Sequence, residues 1–298
     1  MLHGWIILDK PVGLGSTQAV SAVKRALREA GEPKTKVGHG GTLDQLASGV
    51  LPIALGEATK LAGRLLDATK TYEFTIKFGE ETDTLDAEGA VVARSAHLPE
   101  SADVEDVLVR FIGRIRQRPP IFSALKIRGK RYSDLARAGQ LVEPNEREVT
   151  VSQLDFQSAP GIEPIDQVTL SATVSKGTYI RSLARDIAHA LNTVGHVITL
   201  RRTRAGPFAL EQAISLDFLQ TAAKARQLDG AVVPLQAALD DIPALPVTPD
   251  QAQLLRHGQK LFGFPAQPGL QLATSEGTPV ALVEATVDGL TVVRGFNL

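Results

Sequence analysis

In the stretch VGHGGTLDQLASGVLPIALGEATKL, Val37 to Leu61, only one side chain between Lys36 and Glu57 carries a charge, and it is Asp44. Glycines at 38, 40 and 41 precede it, and residues 46–55 after it are uncharged. A carboxylate in such a place can cap a turn or a helix, attack as a nucleophile, or remove a proton as a base. On residue type alone the cap is the commoner use. The glycines, however, allow backbone positions closed to other residues and let another molecule approach the loop closely. An apolar run behind the loop would hold it rigidly on the core.

Other constellations are poorly represented. The six histidines, at 3, 39, 97, 189, 196 and 257, include no i,i+4 pair. With no cysteine to complete a site, a metal centre is not expected. GHGGT and GLGST are glycine-rich but lack the GK[ST] ending of a phosphate loop, and no G-x-S-x-G elbow is present.

The elements that would position Asp44 read as alternating strands and helices. GWIILDKP is a short strand, followed by a helix capped by Ser16 or Thr17 with Val20, Val23 and Leu27 on one face. YEFTIKFG places Tyr72, Phe74, Ile76 and Phe78 on one side of a half-buried strand. SADVEDVLVRFIG is a helix from a Ser101 cap to a Gly113 stop. EVTVSQLDF, DQVTLSATVSK and HVITLRRTR are further strands. Between the last two, GTYIRSLARDIAHALN is a helix with Arg181 bordering its apolar stripe. Half-polar strands mixed with helices predict an α+β fold with a mixed, mainly antiparallel sheet. The Pro-rich segment Asp240 to Pro249 predicts a boundary between residues 1–245 and a small β domain, 246–298.

Charge is distributed in blocks although the net is −1. Residues 110–147 hold ten Lys/Arg against three Asp/Glu, a net of +7, and residues 176–206 hold six against one, +5. Two basic blocks in a near-neutral chain are expected to converge on a polyanion, with nucleic acid the leading partner. No segment reaches the roughly 18 apolar residues of a membrane span, and the apolar run Trp5 to Leu8 is shorter than a signal peptide. Together with the absence of cysteine this predicts a cytoplasmic protein.

The stretch around Asp44 resembles the signature of the TruB family of tRNA pseudouridine synthases, G-H-x-G-x-L-D-P-x-A-x-G-x-L. The resemblance continues in order through LDKPVGLGST (8–17), KTYEFTIKFGEETDTLDAEG (70–89), PPIFSALKIRGKRY (119–132), KGTYIRSLARDI (176–187) and HVITLRRT (196–203). The tail resembles the PUA-like RNA-binding domain of bacterial members. Departures are Gln45 where Pro is usual, GGT at 40–42 in place of TGA, and Phe122 where Tyr is frequent. Loss of the proline is expected to free the backbone beside the carboxylate.

The resemblance implies isomerisation of uridine to pseudouridine in the TΨC loop of tRNA, position 55, by base flipping and without cofactor or guide RNA. It implies Asp44 as the essential carboxylate, acting as nucleophile or as base, with Arg181 holding it ionised, since a nearby guanidinium lowers a carboxylate pKa by roughly 1–3. Tyr72 is implied to stack on the extruded base and to assist proton removal, Tyr179 and Leu200 to line the base pocket, and His39 to fill the space the base leaves. Arg128, Lys130, Arg131 and Arg202 are expected on a rim that reads the RNA backbone. The expected partner is the tRNA T-arm, with no obligate protein partner and a monomeric state. An RNA-binding or RNA-folding protein on the same scaffold, without activity, is the second reading. A guide-dependent synthase is the third, disfavoured by the lack of long basic extensions.

Overall fold

A computed structural model describes residues 1–123, 125–127, 129–140, 143–159 and 163–298. The chain opens with β1 (Gly4–Lys10), α1 (Ser16–Glu29), β2 (Val37–His39), β3 (Ser48–Leu55), α2 (Ala62–Asp67) and β4 (Lys70–Phe78). A hairpin of β5 (Glu80–Thr82) and β6 (Val91–Arg94) follows, then α3 (Ser101–Leu108) and β7 (Gly113–Gln117). A second hairpin, β8 (Lys126–Ile127) and β9 (Lys130–Arg131), precedes α4 (Tyr132–Arg137). The first part closes with β10 (Arg147–Ser158), β11 (Gln167–Val174), α5 (Ile180–Ala190), β12 (Gly195–Ala205), β13 (Phe208–Ala209) and α6 (Leu216–Lys224).

These strands build the expected mixed sheet, in the order β1-β3-β12-β4-β11-β10-β7, with β2 on β3 and β13 on β12. Within it β3 and β12 alone run parallel, at Ser48 with Arg201 and Gly49 with Arg202; every other pair is antiparallel. That one insertion matters for function. It brings the loop before β3 beside residues 200–204, which are about 150 positions away in the chain.

The uncharged run 46–55 has a packing reason. β3 is buried along almost its whole length and contributes to two cores. Leu51, Ile53 and Leu55 join Ile6, Leu8, Val23, Leu27, Leu183 and Ile187. Val50 and Ala54 join Trp5, Ile7, Phe208 and Leu235. A strand covered on both faces tolerates no charge. On β4, Phe74, Ile76 and Phe78 are buried as the alternation predicts, and Tyr72 is half-buried.

Two caps differ from expectation. Gly15 rather than Ser16 or Thr17 caps α1, its amide donating to the Gln18 side chain at 2.8 Å. Glu100 caps α3, whose α-helical part ends at Leu108 before a tight turn over Val109–Phe111. Ser16 is thereby released for another contact.

The C-terminal segment holds β14 (Ala244–Pro246), α7 (Pro249–Arg256), β15 (Leu261–Phe262), β16 (Gly269–Ser275), β17 (Thr278–Thr286) and β18 (Gly289–Gly295). Their sheet has the order β14-β16-β17-β18-β15. Leu272, Leu282 and Phe296 pack into the same core as Trp5 and Phe208, whose rings lie 5.6 Å apart. Trp5 Nε1 donates to the Leu235 carbonyl at 3.1 Å, and Lys60 Nζ to the Gly295 carbonyl at 2.9 Å. Among the described residues no helix is long and apolar enough to cross a membrane.

A shared core of this kind predicts that Phe208→Ala destabilises the protein by about 3–5 kcal/mol. Urea unfolding followed by fluorescence of the single tryptophan checks it. An unchanged midpoint would mean that this core holds nothing together.

Candidate active site

Asp44 lies on the loop between β2 and β3, and four separate contacts fix that loop. The Ser16 hydroxyl donates to the Leu43 carbonyl at 2.9 Å and accepts from the Leu43 amide at 2.8 Å. Gly40 N donates to the Pro52 carbonyl at 2.8 Å. Gln45, contrary to the expected loosening, is tied twice to Gly13. Its carbonyl accepts from Gly13 N at 2.8 Å, and its side-chain amide donates to the Gly13 carbonyl at 3.1 Å. The amide thus supplies restraint where a proline ring would.

The fourth contact is Arg202, and here the expectation of an RNA-facing rim is corrected. Its side chain is buried. Nε donates to the Val50 carbonyl at 2.7 Å, while Nη1 and Nη2 reach the carbonyls of Thr42 and Gly41 at 3.3 Å. A guanidinium satisfied by loop carbonyls braces the backbone around Asp44 and cannot read solvent-side phosphates. Close approach of β3 and β12 makes this reach possible. Gly49 has φ +99°, and a Cβ there would collide with the Arg202 carbonyl.

The Asp44 side chain is 39% exposed, so it is open to a substrate, whereas Arg181 is only 7% exposed. Arg181 Nη2 lies 3.0 Å from Asp44 Oδ2. On the other side Arg181 Nη1 lies 3.2 Å from Asp86 Oδ2, and Asp86 is more deeply buried still. The guanidinium also donates to the carbonyls of Thr84 at 2.7 Å and Phe122 at 3.2 Å. Asp86 is in turn aimed by the Thr84 hydroxyl at 2.6 Å and the Glu88 amide at 3.0 Å. The preceding residue, Leu85, sits at φ +62°, a left-handed conformation costing on the order of 1–3 kcal/mol for a residue with a Cβ. Such a turn persists only because its surroundings demand it: the Leu85 carbonyl accepts from Val197 N at 3.1 Å.

Asp44, Arg181, Tyr72, Tyr179, Leu200 and Arg202 line one cleft of about 250 Å³, just under the roughly 300–1,000 Å³ of small-molecule sites. Tyr179 sits just before α5, its backbone held by the Gln117 side chain at 2.8 and 3.1 Å, and Arg147 stacks over its ring at 5.0 Å. His39 ends β2, half-buried outside the cleft lining, with Nδ1 accepting weakly from Gly41 N at 3.4 Å. Burial lowers its pKa, and Arg202 lowers it further. Leu125 is on the cleft edge, and the β8–β9 hairpin with exposed Lys130 and the backbone of Arg131 rises from it. Arg128 lies outside the described residues.

Sequence reasoning missed several participants. Asp86 was one of three acids in TDTLDAEG with nothing to single it out. Lys10, fully buried, donates to the Pro11 and Leu14 carbonyls at 2.9 and 2.7 Å. Burial pushes its pKa down to about 8, against the opposing pull of Asp44. Lys70 lines the cleft with its Nζ on the carbonyls of Leu66 and Ala68.

Comparison with known proteins places the chain in a family. Residues 24–180 match the TruB family pseudouridylate synthase (N terminal domain), and residues 181–240 match the tRNA pseudouridylate synthase B C-terminal domain. The chain belongs to the TruB family. It is 60% identical to the tRNA pseudouridine synthase B of Zymomonas mobilis subsp. mobilis, over 99% of this chain and 96% of that relative. It is 58% identical to the tRNA pseudouridine synthase B of Novosphingobium aromaticivorans, over 100% and 98%. Among solved structures, a chain of an H/ACA RNP bound to a substrate RNA containing 2′-deoxyuridine superposes with a TM-score of 0.74 at 25% identity, covering 99% of this chain and 86% of that one. A chain of a Cbf5-Nop10-Gar1 complex gives 0.72 at 28% identity, covering 99% and 84%. In this TruB-family chain, therefore, the mixed sheet is the pseudouridine synthase fold.

Removing the cation between the two carboxylates leaves Asp86 buried and unpaired. Arg181→Met is expected to cost about 3–5 kcal/mol of stability. Asp86→Asn combined with it should recover part of that loss, with a coupling of about 0.5–3 kcal/mol in a double-mutant cycle read by chemical unfolding. Additive effects would show that the two groups do not depend on each other.

Proposed function

We propose that this protein converts uridine to pseudouridine in the TΨC loop of tRNA, at position 55, without guide RNA. The reaction breaks the bond between N1 and C1′, turns the uracil, and forms a bond from C5 to C1′. The C5 proton leaves and N1 gains one, so atoms balance without redox. Such chemistry calls for an open carboxylate at the sugar and a surface that holds the loosened base. The observation supporting this reading is Asp44, accessible at the cleft and 3.0 Å from the buried Arg181 guanidinium, with Tyr72 lining the same cleft.

Asp44 either attacks C1′ or removes a sugar proton, and the same pair with Arg181 serves both routes. Tyr72 stacks on the extruded base, returning about 1–3 kcal/mol toward the few kcal/mol of flipping, and assists loss of the C5 proton. Tyr179 and Leu200 form the remaining walls of the base pocket. His39, beside the cleft with its pKa lowered, occupies the place that the base vacates. Arg128, Lys130 and Arg131 bear on the RNA backbone, a recognition by shape and splayed bases. Residues 246–298 act as a PUA-like RNA-binding domain. The protein works as a cytoplasmic monomer without an obligate protein partner.

Incubation of the purified chain with an unmodified tRNA transcript, without guide or partner, should yield pseudouridine at position 55 by mass mapping. Asp44→Asn should abolish conversion while leaving tRNA binding in place. Absence of product with the unaltered chain would leave the readings of an RNA-binding protein and of a guide-dependent synthase. Affinity should also fall steeply with salt. Alanine at 128, 130 and 131 together should flatten the dependence of log affinity on log salt by up to about 2–3, at roughly 0.7–0.9 per phosphate contact. An unchanged slope would turn that hairpin away from RNA.

A further inference from the structure

The cleft has more positive charge than its acid needs. Lys70, Arg147, Arg181 and Arg202 line it against Asp44, and the one other carboxylate on Arg181 is Asp86. Arg202 is held by loop carbonyls, and Arg181 pairs through Nη1 and Nη2 with its two acids, leaving only Nε without a partner among the described residues. Lys70 is different. It is more than nine-tenths buried, and two of its three N–H groups meet the carbonyls of Leu66 and Ala68 at 2.7 and 2.6 Å. Among the described residues it has no carboxylate within ion-pair distance, and its third donor has no acceptor there.

Capping the end of α2 accounts for two of those bonds. It does not account for burial, since an exposed lysine caps a helix as well without losing its hydration. The cost is visible: burial pushes the Lys70 pKa down to about 8, and Arg202 pushes the same way. A cation kept under those conditions, facing a cleft, is placed for an anion. Lys70 and Tyr72 are two residues apart on β4, so both side chains leave the same face of the strand, about 7 Å apart. That is the span between a base and a phosphate of its own or the adjoining nucleotide. A second cation of the cleft, Arg147, also has a buried N–H without a partner, at Nε.

We propose that Lys70 seats a backbone phosphodiester flanking the uridine whose base enters the cleft, with its unused N–H donated to a phosphate oxygen. This rests on the reading of the cleft as a uridine site in tRNA. A neutral uracil leaves the surplus positive charge unmatched, whereas the nucleotide's own phosphate matches it and turns the buried ammonium from a liability into an anchor.

The test uses the full chain carrying Asp44→Asn, so that no turnover occurs, and measures affinity for an unmodified tRNA transcript over a range of salt. Lys70→Met should weaken binding and reduce the slope of log affinity on log salt by about 0.7–0.9, and Lys70→Arg should retain the slope. Equal slopes for Lys70 and Lys70→Met, with matching circular dichroism and melting temperature, overturn the proposal. Weaker binding at unchanged slope also overturns it, pointing to a uracil carbonyl as the partner. Should Lys70→Met fail to fold, a T-arm hairpin with a neutral methylphosphonate on either side of the target uridine replaces it. One of the two linkages should lower the slope for the Asp44→Asn protein by the same amount, and no change at either overturns the seat. Pseudouridine formation by the unaltered chain together with unchanged slopes would sink the seat alone. Failure to bind tRNA at all would sink the functional reading beneath it.

Discussion

A single buried guanidinium organises the active end of this molecule. Arg181 stands between Asp44, open to the cleft, and Asp86, closed inside the protein. A cation taken out of water demands compensation, and one exposed carboxylate is a poor partner because solvent screens it. Asp86 supplies the missing half from the interior, and the Thr84 and Phe122 carbonyls occupy further donors. The consequence is directional. Because Asp86 and the carbonyls hold the guanidinium from behind, its Nη2 is fixed in space before any substrate arrives. Asp44 then meets a preset charge, the kind of preorganisation that catalysis by electrostatics requires.

Asp44 also has to stay where that charge is, although it sits in a loop. Loops are ordinarily the mobile part of a fold. This one is clamped by two segments distant from it in the chain: residues 13–16, through Ser16 on Leu43 and Gly13 on Gln45, and β12, through Arg202. The parallel insertion of β12 beside β3 makes the last of these possible, and Gly49 makes the insertion possible. A family position that usually carries Pro can therefore carry Gln here without loosening the carboxylate. The backbone carbonyl and the side-chain amide both pair with Gly13; the first bond is open to either residue, and the second is the one that Gln supplies in place of the ring.

Much of this arrangement was legible in the order of residues, and what was not has identifiable causes. Period-two alternation located β4, β10, β11 and β12, and a 3.6-residue stripe located α5 with Arg181 at its border, because those patterns are the direct imprint of burial. A carboxylate isolated among glycines and apolar residues marked Asp44. Arg202 was misjudged by being counted with its charged neighbours, yet alternation along HVITLRRT already puts it on the same face as buried Leu200. Asp86 left no local signal at all. Its burial arises from a left-handed Leu85 and a bridge to Val197, contacts between segments more than one hundred residues apart. Ser16 was read as a helix cap because that is what serine does at such a place, and only the fold reveals Gly15 in that role and the hydroxyl bound to Leu43.

Two lysines, Lys10 behind the Asp44 loop and Lys70 in the cleft, carry the remaining lesson about charge. Both have pKa values pushed down to about 8 by burial, from 10.5 in the unfolded chain. Between those values the folded protein binds fewer protons than the unfolded one, so these groups make stability rise with pH across that window. Below pH 8 the protein therefore retains two buried ammonium groups at a cost to its own folding. Asp44 offsets part of that cost for Lys10, and Asp67 part of it for Lys70. An anion bound beside Lys70, the one of the two that lines the cleft, would offset more, and by linkage its binding would raise the affinity of Lys70 for its proton. Part of the stability that burial of Lys70 removes from the free protein would then return as affinity for that anion.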